Sequence, residues 1–452
     1  VALRTAQSQP TTGQRRLDSI QIMRGVAAAL VVFAHAVDLV QVNPHLGTSH
    51  IVGLGALENF GAIGVDLFFI ISGFVMALSV TRLSGSVAAR RFLRLRWARI
   101  APPFLIACGL FICLQAFFGA PHPLPWRALA NAVLFVPVVD GLGYTIPVLE
   151  VGWSLSFEFT FYLGVAALVV LGLSRRPEIL AAFIVLAVAV GMATDPQHFL
   201  LRWVTNPIML EFVLGIVAYR LWEKGLLNRA RVVQWVLGAV AAGYLLYQAA
   251  VGFGAVSEAR GVLDATTSAE RVLMWGLPLF FVFVALLPTA QGPVTPSGQF
   301  ARRLGDSSYS LYLVHPLVFL FLAAVYARVP AMGLPLADLV LLFSVAVAVG
   351  AGFAFYRWIE CPINEKVRRS NQAAAKAPEP ARAAERPLPA DAVTESMPAI
   401  GARPGPLAGS VPPPRARHLP AHGSHGAHAT HPPHRRHAAP PRHSATPRVP
   451  LG

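Results

Sequence analysis

IQIMRGVAAALVVFAHAVDLV, residues 20–40, is an apolar run that carries one arginine, Arg24, and one histidine, His35. At 1.5 Å of rise per residue, a helix of about 20 residues matches the ~30 Å hydrocarbon core of a bilayer. Runs of the same kind recur at 57–80, 100–118, 155–173, 179–194, 207–223, 232–250, 273–289, 308–327 and 335–358. Charged residues are only 13% of the chain, about half the ~25% of soluble proteins, and the mean hydropathy is +0.56. The expected fold class is therefore all-α: a polytopic membrane protein with about ten transmembrane helices. The stretch from Asn131 to Val139 is short and lies between prolines. It reads as part of an external or re-entrant loop rather than a span.

The formal net charge of +15 could suggest nucleic acid, but its distribution argues for membrane topology. With the N-terminus inside, Arg15, Arg16, the Arg82–Arg99 cluster, Arg175, Arg176, Arg220, Lys224, Arg302, Arg303 and Lys366 to Arg369 all fall on the inner side. Arg127, Arg202, Arg260, Arg271 and Arg328 fall on the other. This asymmetry expects a bacterial inner-membrane protein with both termini cytoplasmic. The first apolar run is too long for a signal-peptide core, and no small-residue cleavage site follows it. Residues 1–18 read as a cytoplasmic arm and 19–369 as the transmembrane domain.

Residues 370–452 are rich in Pro, Ala, Arg and His and poor in large apolar side chains. Such a segment cannot bury enough surface to offset chain entropy, so a disordered cytoplasmic tail is expected. His422, His425, His428, His431, His434 and His437 recur at every third residue. That period would align them along one edge of a polyproline II helix and could hold transition metals weakly. A basic tail lying loosely on anionic lipid is the plainer reading. Cys108, Cys113 and Cys361 form no metal-ligand spacing, so no metal site is expected in the domain.

Ionisable groups inside a bilayer are costly, which makes each a functional candidate. Arg24 and His35 are eleven residues apart, which on a helix is three turns plus ~20° and a rise of ~16 Å. They share a face, with the arginine near the cytoplasmic end. Asp66, Glu158 and Glu211 lie in the second, fourth and sixth spans. The expected topology puts all three at about the depth of His35. A histidine with a carboxylate partner can act as a general base at neutral pH. Glu158 is the first choice of partner and Asp66 the second, while Glu211 at a helix start also fits dipole compensation. On the cytoplasmic side, Arg91/Arg94 and Arg96/Arg99 have i, i+3 spacing and so present guanidinium forks suited to phosphate. The pattern describes a phosphate site inside and a base farther out, as a donor with a phosphorylated head and a long arm would require.

Six segments also resemble the acyltransferase family 3 membrane proteins, in particular the exopolysaccharide (succinoglycan-type) O-acetyltransferase branch. They are residues 20–36, GAIGVDLFFIISGFVM at 61–76, RRFLRLRWARIAPPFL at 90–105, VGWSLSFEFTFYL at 151–163, GDSSYSLYLVHPLV at 305–318 and YRWIECPINEKVRR at 356–369. The resemblance implies a ten-helix fold that takes acetyl groups from cytoplasmic acetyl-coenzyme A and modifies carbohydrates. It makes His35 the essential catalytic residue with Arg24 ahead of it, and associates Arg96 and Arg99 with the donor. It also marks Trp153, Ser154 and Glu158 as one motif and places Tyr309, Tyr312 and His315 near the inner face.

The expected function is O-acetyl transfer from acetyl-coenzyme A, a substrate rather than a resident cofactor, to an exopolysaccharide or other surface carbohydrate. His35, Glu158 and Asp66 are the catalytic candidates. Arg94, Arg96 and Arg99 would bind the donor, and Arg24, Trp153 and Ser154 would orient the acceptor. The lipid bilayer and polysaccharide assembly machinery are the expected partners, with no nucleic acid. The rival reading is a transporter or flippase of a lipid-linked saccharide, since intramembrane charges fit that class too.

Overall fold

The computed structural model describes residues 18–43, 46–47, 49, 51, 60–119, 126–137, 139–140, 143–144, 147–252, 259–287, 296–329 and 337–376. The arm before Asp18 and the histidine-rich tail lie outside them. Ten helices among the described residues are long and apolar enough to cross a membrane. In chain order the helices are α1 Asp18–Gln41, α2 Ile63–Val80, α3 Gly85–Phe117, α4 Trp126–Leu134, α5 Trp153–Val170, α6 Pro177–Thr194 and α7 Leu210–Glu223. They continue with α8 Arg231–Val251, α9 Leu277–Leu286, α10 Pro296–Asp306, α11 Ser308–Tyr326, α12 Ala337–Phe355 and α13 Cys361–Lys376; the other α-helices among the described residues have six residues or fewer. The spans that contain α7 and α9 are the longer Phe199–Glu223 and Ser268–Leu286. Left-handed glycines close two of them, Gly172 after α5 at φ +71° and Gly225 after α7 at φ +65°, where a residue without Cβ frees the last carbonyls to be capped.

The ten spans match the apolar runs, but three local details differ from the sequence reading. First, the third span starts well before the apolar run at 100: α3 begins at Gly85 and carries Arg90 to Arg99 as helix, with Pro102 and Pro103 in its interior. Proline removes helical donors, and in a membrane protein neighbouring side chains take their place. The carbonyls freed by Pro102 and Pro103 are those of Ala98 and Arg99; one residue on, Tyr309 donates its hydroxyl to the Ile100 carbonyl at 2.7 Å. Second, the 131–139 stretch includes the end of α4, a helix of 9 residues, too short to span ~30 Å. It is followed by a small hairpin that pairs Val139–Asp140 with Gly143–Tyr144. Third, α12 continues through a π-helical turn at Tyr356–Glu360 into the polar helix α13, which extends to Lys376.

Helix α2 is the hub, with 72% of its span buried, whereas α6 and α12 bury 28% of theirs and turn side chains such as Phe183 and Leu342 outward. Between helices in lipid the contacts are close-packed rather than hydrophobically driven, and small residues let backbones approach. A Cβ on Gly73 would sit 2.2 Å from the Phe212 carbonyl oxygen, and one on Gly215 2.1 Å from that of Ile70. The two helices, α2 and α7, therefore interlock backbone to backbone. On α10, a Cβ on Gly305 would sit 1.8 Å from the Gln21 carbonyl of α1. Backbone cannot move aside as a side chain can, so Gly73→Ala should destabilise the protein by about 2–3 kcal/mol, the upper part of overpacking costs. Thermal unfolding in detergent followed by size-exclusion chromatography measures this. An unfolding temperature equal to wild type would mean that α2 and α7 are not held this closely.

Candidate active site

The arginine stripe of α3 faces a cavity of about 1060 Å³ at one end of the bundle. Arg91, Arg96 and Arg99 line it from α3, Arg24 from α1, and Glu360, Arg368 and Asn371 from the π turn and α13. Arg91 is tethered across this cavity by its Nε donating to Asn371 Oδ1 at 2.7 Å. Arg94 does not line the cavity. At 100° per residue, the lining positions Val87, Ala88, Arg91, Phe92, Leu95, Arg96 and Arg99 form one helical stripe, and Arg94 falls ~20° beyond its edge. Arg91 takes the place that the sequence reading gave to Arg94.

Arg24, Arg96 and Arg99 also line a narrower cavity of about 130 Å³ deeper in the bundle, together with Ser72, Glu158, Tyr162 and Tyr309. Arg96 lies over the rings of Phe92 and Tyr162, 5.4 and 5.8 Å from their centroids, a cation–π placement. Glu158 accepts from the hydroxyls of Ser72 and Tyr162. The far wall of this cavity is a layer made by Val65, Phe68, Ser154 and Tyr312. Phe68 meets Tyr312 edge-on at 6.0 Å. The Tyr312 hydroxyl is fixed by Ser154 Oγ at 2.9 Å and by the Val151 carbonyl at 2.8 Å.

Beyond that layer a third cavity, about 420 Å³, holds His35. Its ring stacks on His315, with centroids 5.2 Å apart and planes at 22°. His315 is fully buried, and its Nδ1 faces the Leu311 carbonyl at 3.1 Å. The carboxylate within ion-pair distance of His35, among the described residues, is Asp38, with Oδ2 3.3 Å from Nδ1 and both side chains about half exposed to the cavity. One helical turn separates them, so α1 alone sets this geometry.

Neither carboxylate chosen from the sequence sits on the His35 ring. Glu158 belongs with the arginines, on the other side of the Tyr312 layer. Asp66 is engaged by Arg271, which donates from Nε at 2.8 Å and from Nη2 at 2.7 Å. The two side chains are no more than 1% exposed. Arg271 also donates to the Ala62 carbonyl and stacks over Trp275 at 4.5 Å. The π-helical turn Val272–Gly276 follows directly, and its wider coil returns Trp275 to the face of Arg271. Glu211 packs beside this pair, fully buried. Arg271, read as a loop residue from its sequence position, is thus a buried cation that also borders the His35 cavity. Among the described residues, no group of His, Cys, Asp or Glu is placed to hold a metal ion.

A family model described as an acyltransferase domain, acyltransferase 3, matches residues 17–356. The chain belongs to the acyltransferase 3 family. It is 30% identical over 313 residues to the exopolysaccharide production protein ExoZ of Rhizobium meliloti (strain 1021), covering 68% of this chain and 91% of that one. It is 31% identical over 403 residues to the acyltransferase MdmB of Streptomyces mycarofaciens, covering 81% and 96%. Nodulation protein 10 of Rhizobium leguminosarum bv. viciae is 26% identical over 343 residues, covering 70% and 86%. No solved structure gives a significant match.

In this acyltransferase 3 protein the motif residues of α11 do not share one depth. Tyr309 lines the cavity with Arg99, Tyr312 forms the dividing layer, and His315 meets His35. The resemblance had placed all three near the inner face, but three residues of helix rise ~4.5 Å, enough to distribute them across the bundle. Asp38 was missed although its i, i+3 spacing from His35 was readable. Arg271 had no such signal, because its partner Asp66 is 205 residues away in sequence.

Proposed function

We propose that this membrane acyltransferase moves an acetyl group from cytoplasmic acetyl-coenzyme A to a hydroxyl of an exopolysaccharide or other surface carbohydrate. The observation that carries this reading is the pair of cavities joined by Arg24, Arg96 and Arg99. A wide basic basin opens into a narrow passage, aimed through the bundle at the histidine. Guanidinium groups bind phosphate in bidentate fashion, so the basin suits the phosphorylated head of the donor and the passage suits its arm. The positive-inside rule places the basin in the cytoplasm and His35 toward the outer leaflet of the inner membrane.

In this reading the thioester passes the Phe68–Tyr312 layer from the arginine side and meets the acceptor hydroxyl beside His35. His35 takes the hydroxyl proton as the oxygen attacks the thioester carbonyl. The C–S bond breaks, and the coenzyme thiolate leaves through the basin and is protonated there. Asp38 orients the imidazole and stabilises its protonated form. Glu158, held by Ser72 and Tyr162, balances the charge of Arg24 and Arg96 along the passage. The relatives' names support an acceptor of this kind, since one is an exopolysaccharide production protein.

The test is the O-acetyl ester content of exported exopolysaccharide in wild-type, deletion and complemented strains. Loss of one ester with normal export is the expected result. Failure to export the polymer would favour a lipid-linked saccharide transporter, and unchanged ester content would remove this polymer as the product. For the donor site, Arg99→Ala in the purified protein should raise the KM for acetyl-coenzyme A by about 10- to 100-fold, the size of a charge-assisted hydrogen bond. Arg94→Ala should leave it within about twofold, since exposed charges off a site contribute little. Equal effects of the two would argue against the basin as the donor site.

A further inference from the structure

Beside the His35 cavity lies a second cavity of about 420 Å³, at the same end of the bundle. Glu150, Trp153 and Ala259 line both, so the two cavities adjoin at these residues. Each is within the size range of small-molecule pockets. We propose that they are adjacent sugar subsites, and that the acceptor is a chain of at least two linked sugar rings. The acetylated hydroxyl lies on the ring beside His35, and the neighbouring ring occupies the second cavity. This rests on the carbohydrate reading above and adds to it where the chain is gripped.

The chemistry of the second cavity fits a neutral polyhydroxyl ring better than an ion. Arg202 and Arg260 bring N–H donors to its lining, and Glu150 and Asp264 bring acceptors; Arg202 is already held by the Pro196 carbonyl and Gln197 Oε1. An anion would meet the two carboxylates and a cation the two guanidinium groups, whereas sugar hydroxyls both donate and accept. The arginine basin at the opposite end is the contrast, with its clear excess of positive charge. Tyr144, Trp153 and Leu263 supply an apolar wall in the same cavity, and such a wall suits the C–H face of a pyranose ring.

The rim is also rigid before any ligand arrives. Asn206 Nδ2 and Ser268 Oγ both donate to the Val262 carbonyl, at 2.7 and 3.0 Å. The backbone N–H groups of Thr266 and Thr267 both donate to the Gly261 carbonyl, at 2.9 and 3.2 Å. This knot ties Arg260, on the short helix Ala259–Leu263, to Asp264 in the turn that follows it. Tyr144 is stacked on Trp203, with centroids 5.4 Å apart and planes at 13°. A pre-ordered site loses less entropy on binding, which suits recognition of a weakly interacting neutral ligand.

The experiment uses the full chain purified in lipid nanodiscs with acetyl-coenzyme A as donor. The acceptors are a methyl monosaccharide and the matching di- and tetrasaccharide fragments of the host's own exopolysaccharide. Wild type should show kcat/KM at least tenfold higher for the disaccharide than for the monosaccharide. Arg260→Ala and Asp264→Asn should each lower the disaccharide value by about tenfold, as the loss of a hydrogen bond to a charged group does. Both variants should keep the monosaccharide value and the affinity for acetyl-coenzyme A, which also shows that they are folded. If monosaccharide and disaccharide are acetylated equally well, or if the variants lower both alike, the second subsite is overturned while the carbohydrate reading stands. If no saccharide of any length is acetylated, the carbohydrate reading itself fails and the subsite with it.

Discussion

His35→Ala is expected to lower acyl transfer by about 10²- to 10⁴-fold, the contribution of a positioned general base, while insertion into the membrane stays normal. The imidazole borders the cavity and is held on two sides, by Asp38 at Nδ1 and by the face of His315. Among the described residues, the other imidazole that lines this cavity is His315. His315 is fully buried and has Nδ1 turned to its own helix. Alanine at 35 removes no interhelical hydrogen bond, because the ion pair with Asp38 lies within α1, so the fold has little to lose. Ester content of the exported polymer and the amount of protein in the membrane fraction give the two readouts. Wild-type ester content in the His35→Ala strain would remove the histidine from the chemistry.

Asp66→Asn should cost about 3–5 kcal/mol of stability, the usual consequence of removing one member of a buried ion pair. Arg271 is a permanent cation at 1% exposure, and Asp66 at 0% takes two of its N–H groups. An asparagine offers one acceptor oxygen and turns an NH₂ donor toward a group that only donates. The pair joins α2 to the π turn ahead of α9, so its loss should loosen the wall of the His35 cavity as well. Thermal unfolding of the purified protein and its yield from membranes measure the effect. A variant with wild-type yield and unfolding temperature would show that the pair is not what holds these helices together.

The spans were legible because ~30 Å of hydrocarbon demands long apolar runs, and the ten runs are plain in this chain. The start of α3 was not, because the charges of Arg90 to Arg99 lie outside any apolar run although their i, i+3 spacing is helical; they are the foot of a helix that continues through Pro102 and Pro103. The choice between Arg91 and Arg94 was within reach of helical arithmetic: the stripe through Phe92, Leu95 and Arg99 includes the first and leaves out the second. Asp38 was equally within reach, one turn from His35 in the same run. The Asp66–Arg271 pair was beyond reach. Periodicity locates residues on their own helix, and nothing in it says which of several distant spans faces which. For the same reason Glu158 was assigned to His35 by depth alone, whereas the packing of α3 against α5 brings it to the arginines.

The thin layer of Val65, Phe68, Ser154 and Tyr312 has an electrical consequence. Cavities enter the bundle from both ends, so the low-dielectric thickness at this point is far less than the bilayer's, and most of the membrane voltage falls across a few side chains. Moving one elementary charge through the full potential involves ~2.3 kcal/mol per 100 mV. The two hydrogen bonds that fix the Tyr312 hydroxyl therefore keep the bilayer insulating as well as the cavity shaped, and a small residue at position 312 would tax the energised membrane of its host even where chemistry survived.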